Sequence, residues 1–180
     1  MHISQKDYKV AILVANGFEE SEMVVPREVL DKAGAQTWLI SQEMNVRAWN
    51  HGNWSNSYPV DVALEAVDED DYDALLLPGG VISADALRLS DHAVQFVHAM
   101  VKAQKPIAVI CHGAWILINA QAVKGKTLTS WPSLRIDLEN AGATWVDQEV
   151  VVDGLLVSSR MPHDLPAFNA EMLKLFLPTL

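Results

Sequence analysis

The sequence predicts an α/β fold in which a mostly parallel sheet carries helices on both faces. Two observations predict it. Short, unbroken apolar runs (VAILVA at 10–15, ALLL at 74–77, IAVI at 107–110) have the composition of strands buried on both sides. Between them lie longer stretches with apolar residues at helical spacing, and strands separated by helices imply βαβ units.

Residues 10–15 form the first predicted strand. A helix follows over 20–33, with Met23, Val24, Val29 and Leu30 along one stripe and Gly34 as its stop. Residues 36–40 read as a second strand. The stretch 46–58 breaks the pattern: it holds Trp49, His51, Gly52, Asn53 and Trp54, and reads as a loop or small hairpin on one edge. The strand at 74–77 ends in Pro78-Gly79-Gly80. Ser90 caps a helix over 91–103, the strand 107–110 follows, and a helix runs from 112 to about 120. Residues 134–140 are helical and Gly142 closes them. The runs 150–152 and 155–158 flank Asp153-Gly154, a hairpin signal, and a last helix covers 166–177. No repeat, linker or low-complexity tract interrupts the 180 residues, so a single domain over 1–180 is expected.

Half of the residues are apolar and 20% are charged, enough for a core without staples. The net charge of -10 repels phosphate backbones and anionic bilayers, so neither a nucleic-acid nor a membrane partner is expected. No apolar run is long enough to span a bilayer, and residues 1–9 lack the apolar stretch of a leader peptide. One cysteine precludes an internal disulfide, and a lone thiol persists best in a reducing compartment, which makes the cytoplasm the expected location.

Ligands of open parallel sheets bind beyond the carboxyl ends of the strands. Three such ends carry unusual residues: Asn16 to Glu22, Pro78-Gly79-Gly80 and Cys111-His112-Gly113. An isolated cysteine ordinarily reads as a small core residue. Cys111, however, sits between a buried strand and a helix, where the helix N-terminus favours a thiolate, and Gly113 relieves a sharp turn. His112 reads either as a base beside the nucleophile or as a surface residue of the first helical turn. Glu19, Glu20 and Glu22 offset a helix dipole, yet three acids in four residues exceed that need, so one is expected to face the site. Gly79-Gly80 reads as an ordinary turn or as backbone N–H groups aimed at an oxyanion. The remaining histidines, His2, His51, His92, His98 and His163, form no ligand pair at helical spacing. There is no G-x-G-x-x-G or Walker loop, so neither a metal nor another cofactor is expected.

Together VAILVANGFEESEM, DYDALLLPGG, ADALRLS, KPIAVICHGAWIL, AGATWVDQEVVVDG and LVSSRMPHDLPAF resemble the ThiJ/PfpI superfamily, specifically its PfpI-type cysteine enzymes. The resemblance implies a flavodoxin-like three-layer sandwich, akin to class I glutamine amidotransferases, and a homodimer or higher homo-oligomer. It places the nucleophile on Cys111, its acidic partner on Glu22, a second pocket acid on Glu19, the neighbouring histidine on His112 and the oxyanion donors on the backbones of Gly80 and His112. It also implies a carboxylate from a neighbouring subunit, matched here by Asp85. Two positions depart from the pattern. Trp131 stands where relatives often carry Tyr or His, and an indole cannot take a proton. Ala114-Trp115 replaces a frequent Pro after the elbow glycine.

The resemblance implies a stress-protection enzyme whose thiolate attacks an electrophilic carbonyl, of glyoxalase, deglycase or peptidase type. Small dicarbonyls or glycated groups are favoured over folded proteins, because nothing in the sequence resembles an extended peptide groove, and a small carbonyl compound or a peptide is the expected substrate. The alternative is a redox-sensing or chaperone-like stress protein with an oxidisable cysteine and little turnover. A glutamine amidotransferase would use a late His and acid, and His163-Asp164 occupies that place; PfpI-type relatives keep this region without using the histidine.

Overall fold

The computed structural model describes residues 8–177; the predicted absence of a leader peptide concerns residues 1–9 and so lies mostly outside them, as does His2. Alternation inside each buried run sends successive side chains to opposite faces of one sheet. The strands are β1 (Lys9–Leu13), β2 (Phe18–Glu19), β3 (Gln36–Ser41), β4 (Asn45–Asn50), β5 (Asn53–Pro59), β6 (Val62–Ala63), β7 (Ala74–Leu77), β8 (Ile107–Ile110), β9 (Thr127–Leu128), β10 (Thr144–Trp145), β11 (Val150–Asp153) and β12 (Leu156–Ser159). The helices are α1 (Glu20–Lys32), α2 (Val81–Arg88), α3 (Asp91–Lys102), α4 (Trp115–Asn119), α5 (Arg135–Asn140) and α6 (Leu165–Phe176).

Seven strands form the central sheet in the order β11-β12-β8-β7-β1-β3-β6, parallel throughout except for β11. On one face Ala11, Leu13, Leu75, Leu77 and Val109 pack against Phe96, Val97 and Met100 of α3 and Ile116 and Leu117 of α4. On the other, Val10, Ile12, Leu76 and Ile110 meet Met23 and Leu30 of α1 and Phe168, Met172 and Phe176 of α6. The expected three-layer sandwich is present. Each fully buried Phe or Leu in these layers contributes roughly 1.5–3 kcal/mol of transfer free energy.

The strand order reverses direction at β1. From β1 the chain crosses to β3 on one side, then returns to β7 and β8 on the other. The loops after β1, β7 and β8 therefore converge at the switch point, where such sheets open a crevice.

Three elements differ from the sequence expectation. The helix expected from 112 is a single 3-10 turn, Cys111–Ala114, followed by the five residues of α4. The helix α2 was not predicted: it is eight residues long and its N-cap is Gly80, with no capping side chain. The 46–58 segment is indeed a hairpin, β4–β5, but it pairs with β2 in a sheet of its own rather than on the edge of the main one. The two-residue strands β2, β6, β9 and β10 are too short for period-two patterning to reveal them.

Candidate active site

The site is assembled at the switch point from three strand ends. Cys111 follows β8 with a φ of 62°, a left-handed conformation that costs energy in a residue with a Cβ and persists only where neighbours impose it. Two of the imposing contacts are visible. The backbone N–H of Trp131 donates to the Cys111 carbonyl at 3.2 Å. Gly113 lies so close to β7 that a Cβ there would sit 2.5 Å from the Leu77 carbonyl oxygen. The elbow thus holds Cys111, only 6% exposed, at the switch point.

Glu22, from the first turn of α1, is completely buried beside it. Its Oε2 accepts the Gly79 N–H at 2.9 Å, while Oε1 has no hydrogen-bond partner among the described residues. Burial, with the Glu19 charge adding to it, pushes the Glu22 carboxyl up to about 8, against the opposing pull of Gly79 and Cys111. Burial also pushes the Cys111 thiol up, and the Glu22 carboxylate reinforces it; backbone N–H groups of His112 and Gly80 pull the other way. This corrects the expected helix-stabilised thiolate: a 3-10 turn and a five-residue helix supply little dipole, and desolvation outweighs it. Two adjacent buried acids cannot both ionise easily, so the pair retains one proton.

The two glycines of the β7 turn divide the work that sequence alone left undivided. Gly79 donates to Glu22, so its N–H is occupied; a Cβ there would lie 2.4 Å from Glu22 Oε2 and 2.6 Å from Cys111 Cβ. Gly80, at φ 95°, and His112 direct backbone N–H groups toward the thiol, the arrangement an oxyanion needs. Nδ1 of His112 lies 3.4 Å from Sγ, and burial lowers the imidazole pKa. The His112 ring stacks on Trp131, with centroids 5.7 Å apart and planes 24° apart, and meets Trp115 edge-on at 5.8 Å.

The other predicted residues fall into place as follows. Glu19 is half-buried at the start of α1 and its backbone N–H donates to Gly79. Burial raises its carboxyl, with the Glu20 charge adding to the rise, while His51 and Ser21 oppose it. Asp85 is not brought to the thiol by its own chain: it is exposed on α2 and has no hydrogen bond or ion pair among the described residues. His163 is exposed, and buried Asp164 is engaged by Arg160 at 2.8 and 2.9 Å, an arrangement that suits structure rather than an amidotransferase relay.

Sequence reasoning missed Glu20. Buried at the root of α1, it accepts hydrogen bonds from Asn50, Ser55, Asn56 and Tyr58 at 2.7–2.9 Å and so clamps the β4–β5 hairpin over the loop after β1. Burial alone would raise its carboxyl, but the four donors outweigh it and hold the group at about 2. Among the described residues no three His, Cys, Asp or Glu side chains converge as metal ligands.

Residues 8–175 match the DJ-1/PfpI family. The chain belongs to that family. It is 44% identical over 167 residues to "Deglycase TK1284" of Thermococcus kodakarensis, covering 93% of this chain and 98% of that one. It is 42% identical over 168 residues to "General stress protein 18" of Bacillus subtilis, covering 93% and 96%. Among solved structures, Drosophila melanogaster DJ-1beta superposes with a TM-score of 0.85 at 26% identity, over 94% of this chain and 90% of that one. A two-domain Anabaena variabilis protein with DJ-1/ThiJ/PfpI-like and ferritin-like domains gives 0.87 at 32%, and the chain, 93% of which is covered, spans about half of it (47%).

Proposed function

We propose that this DJ-1/PfpI protein is a cysteine-dependent stress-protection enzyme of deglycase or glyoxalase type, acting as a single domain on small carbonyl compounds. The observation that carries the reading is the strained Cys111 elbow, facing buried Glu22 and the N–H groups of Gly80 and His112. A relative sharing 44% of residues over nearly its whole length is named a deglycase, which supports the same assignment.

In the proposed step the Cys111 proton leaves to His112 or to solvent. Sulfur attacks the carbonyl carbon and a C–S bond forms. The C=O π pair moves onto oxygen, which the Gly80 and His112 N–H groups then receive. Neutral Glu22 keeps its proton and donates a hydrogen bond to the sulfur, which favours the thiolate, and Glu19 shapes the acidic rim. Gly79 and Gly113 act by close approach, and Trp131 lines the mouth. Asp85 of a neighbouring subunit completes the site, so the working unit is a homo-oligomer, and a lone thiol fits the cytoplasm.

The redox-sensing reading called for a low-pKa, open thiol. The 6% exposure and raised pKa of Cys111 give it less support. The test is a turnover panel of dicarbonyls, glycated amino acids and peptides against wild type and Cys111→Ser. Turnover of the first two classes that disappears in the variant is expected; activity surviving in Cys111→Ser overturns the proposal.

A further inference from the structure

The wall of the site beside the nucleophile is aromatic. Trp131 is 38% exposed, yet it is fixed relative to the thiol twice over: its backbone N–H holds the Cys111 carbonyl, and its indole stacks on the imidazole whose Nδ1 is 3.4 Å from Sγ. Trp115 meets the same imidazole edge-on and is itself held in place. Its Nε1–H donates to Asp137 at 2.8 Å, and the Arg88 guanidinium lies 4.9 Å over its ring. The stack therefore presents a pre-ordered flat surface that loses little entropy when something packs on it.

Because the His112 imidazole lies 3.4 Å from Sγ and stacks on Trp131, a carbonyl carbon that reaches Sγ brings its substituent close to these rings. An aryl group attached directly to that carbon is coplanar with the carbonyl and can lie against the ring surface. A methyl group covers little of it. Aromatic pairs gain beyond the area they bury, by an amount equivalent to about three- to tenfold in a rate or binding constant.

We propose that Trp131 is a specificity-determining residue that biases the site toward carbonyl compounds bearing a flat aromatic substituent. This deepens the carbonyl-chemistry reading above and rests on it, but its test does not require turnover. Because Cys111 is the only cysteine, alkylation of the protein thiol reports this site alone. Phenacyl chloride and chloroacetone share a leaving group and differ in the substituent. With either, sulfur forms a C–S bond, the C–Cl bond breaks, chloride leaves with its electron pair and the thiol proton goes to solvent. Each rate is divided by the same reagent's rate with free cysteine.

The expected result is a normalised phenacyl-to-acetonyl ratio of about three to ten in wild type, near one in Trp131→Ala and largely retained in Trp131→Phe. A ratio near one in wild type, or an unchanged ratio in Trp131→Ala, overturns the proposal. General damage to the elbow slows both reagents together, leaves the ratio unchanged and so counts against it. In parallel, kcat/KM for phenylglyoxal against methylglyoxal should show the same bias. If neither dicarbonyl is turned over, the proposed enzymatic function fails, while the alkylation ratio still decides the role of Trp131.

Discussion

A carboxyl that is fully buried, takes one N–H on Oε2 and leaves Oε1 without a partner among the described residues is more stable neutral than charged, and a neutral Glu22 can donate a hydrogen bond to the neighbouring Cys111 side chain. The sign of the consequence follows from linkage. Glu22 rises from an ordinary 4.5 to about 8 in the fold, so the native state holds a proton that the unfolded chain has lost. That contribution to stability is complete below about pH 4.5 and is lost as the pH climbs through 8. Glu22→Gln cannot ionise and should escape this loss. Denaturation of both proteins at pH 5 and pH 9 should show the variant gaining relative stability at the higher pH; equal pH dependence would remove the argument. The same replacement keeps a neutral donor near the sulfur, so Cys111 alkylation near pH 7 should be at least as fast as in wild type. Glu22→Asp shortens the reach and should slow it by about tenfold, the loss of roughly one charge-assisted hydrogen bond. If both variants match wild type in alkylation and turnover, Glu22 serves only to hold the Gly79 turn and has no role at the thiol.

Two elements owe their placement to single residues. The β4–β5 hairpin is held by Glu20, whose donors lie 30 to 38 residues away in sequence, so nothing local in the E-E-x-E run could distinguish it from its neighbours. Glu20→Ala leaves Asn50, Ser55, Asn56 and Tyr58 without their common acceptor and should destabilise the protein by about 2–4 kcal/mol, read by urea denaturation. Because its carboxyl is held at about 2, below its ordinary 4.5, the clamp contributes fully above about pH 4.5 and fades as the pH falls through 2. The wild-type advantage over the variant should therefore shrink under acid. The elbow depends on Gly113 in the same way. A Cβ 2.5 Å from the Leu77 carbonyl forces backbone to move, so Gly113→Ala should cut the Cys111 alkylation rate by an order of magnitude or more, whereas substitution at Gly125, where a Cβ meets nothing, should not affect alkylation. These placements also mark where the sequence was informative. The strands ALLL and IAVI are residue-for-residue as expected, because Pro-Gly-Gly and Cys-His-Gly end them sharply. The helix α2 was not, because its cap is a glycine and its apolar residues form no clean stripe. The thiol's pKa direction was misread because burial is a property of the assembled layers, not of the local turn.

At the scale of the molecule, β1, β7 and β8 bring Glu22, Gly80, Cys111 and His112 together from one chain, but they leave Asp85 facing outward on α2. The helix that bears it exposes Val81 (51%) and Ile82 (40%) beside the loop after β1, since Gly17 packs directly on Ile82. Apolar side chains next to an unpaired carboxylate suit a surface that another copy covers. If Asp85 acts across that contact, neither Cys111→Ser nor Asp85→Ala should turn over substrate well alone. Mixing and reassociating the two should restore activity, since one hybrid site pairs an intact Cys111 with an intact Asp85 from the other chain. For a symmetric dimer mixed in equal amounts, about a quarter of the wild-type sites are rebuilt. Restoration near that level, together with an oligomer by light scattering, is the expected outcome. Full activity in Asp85→Ala, or no restoration between variants shown to exchange subunits, would return Asp85 to the solvent-facing side of α2 and leave the single-chain constellation as the whole of the site.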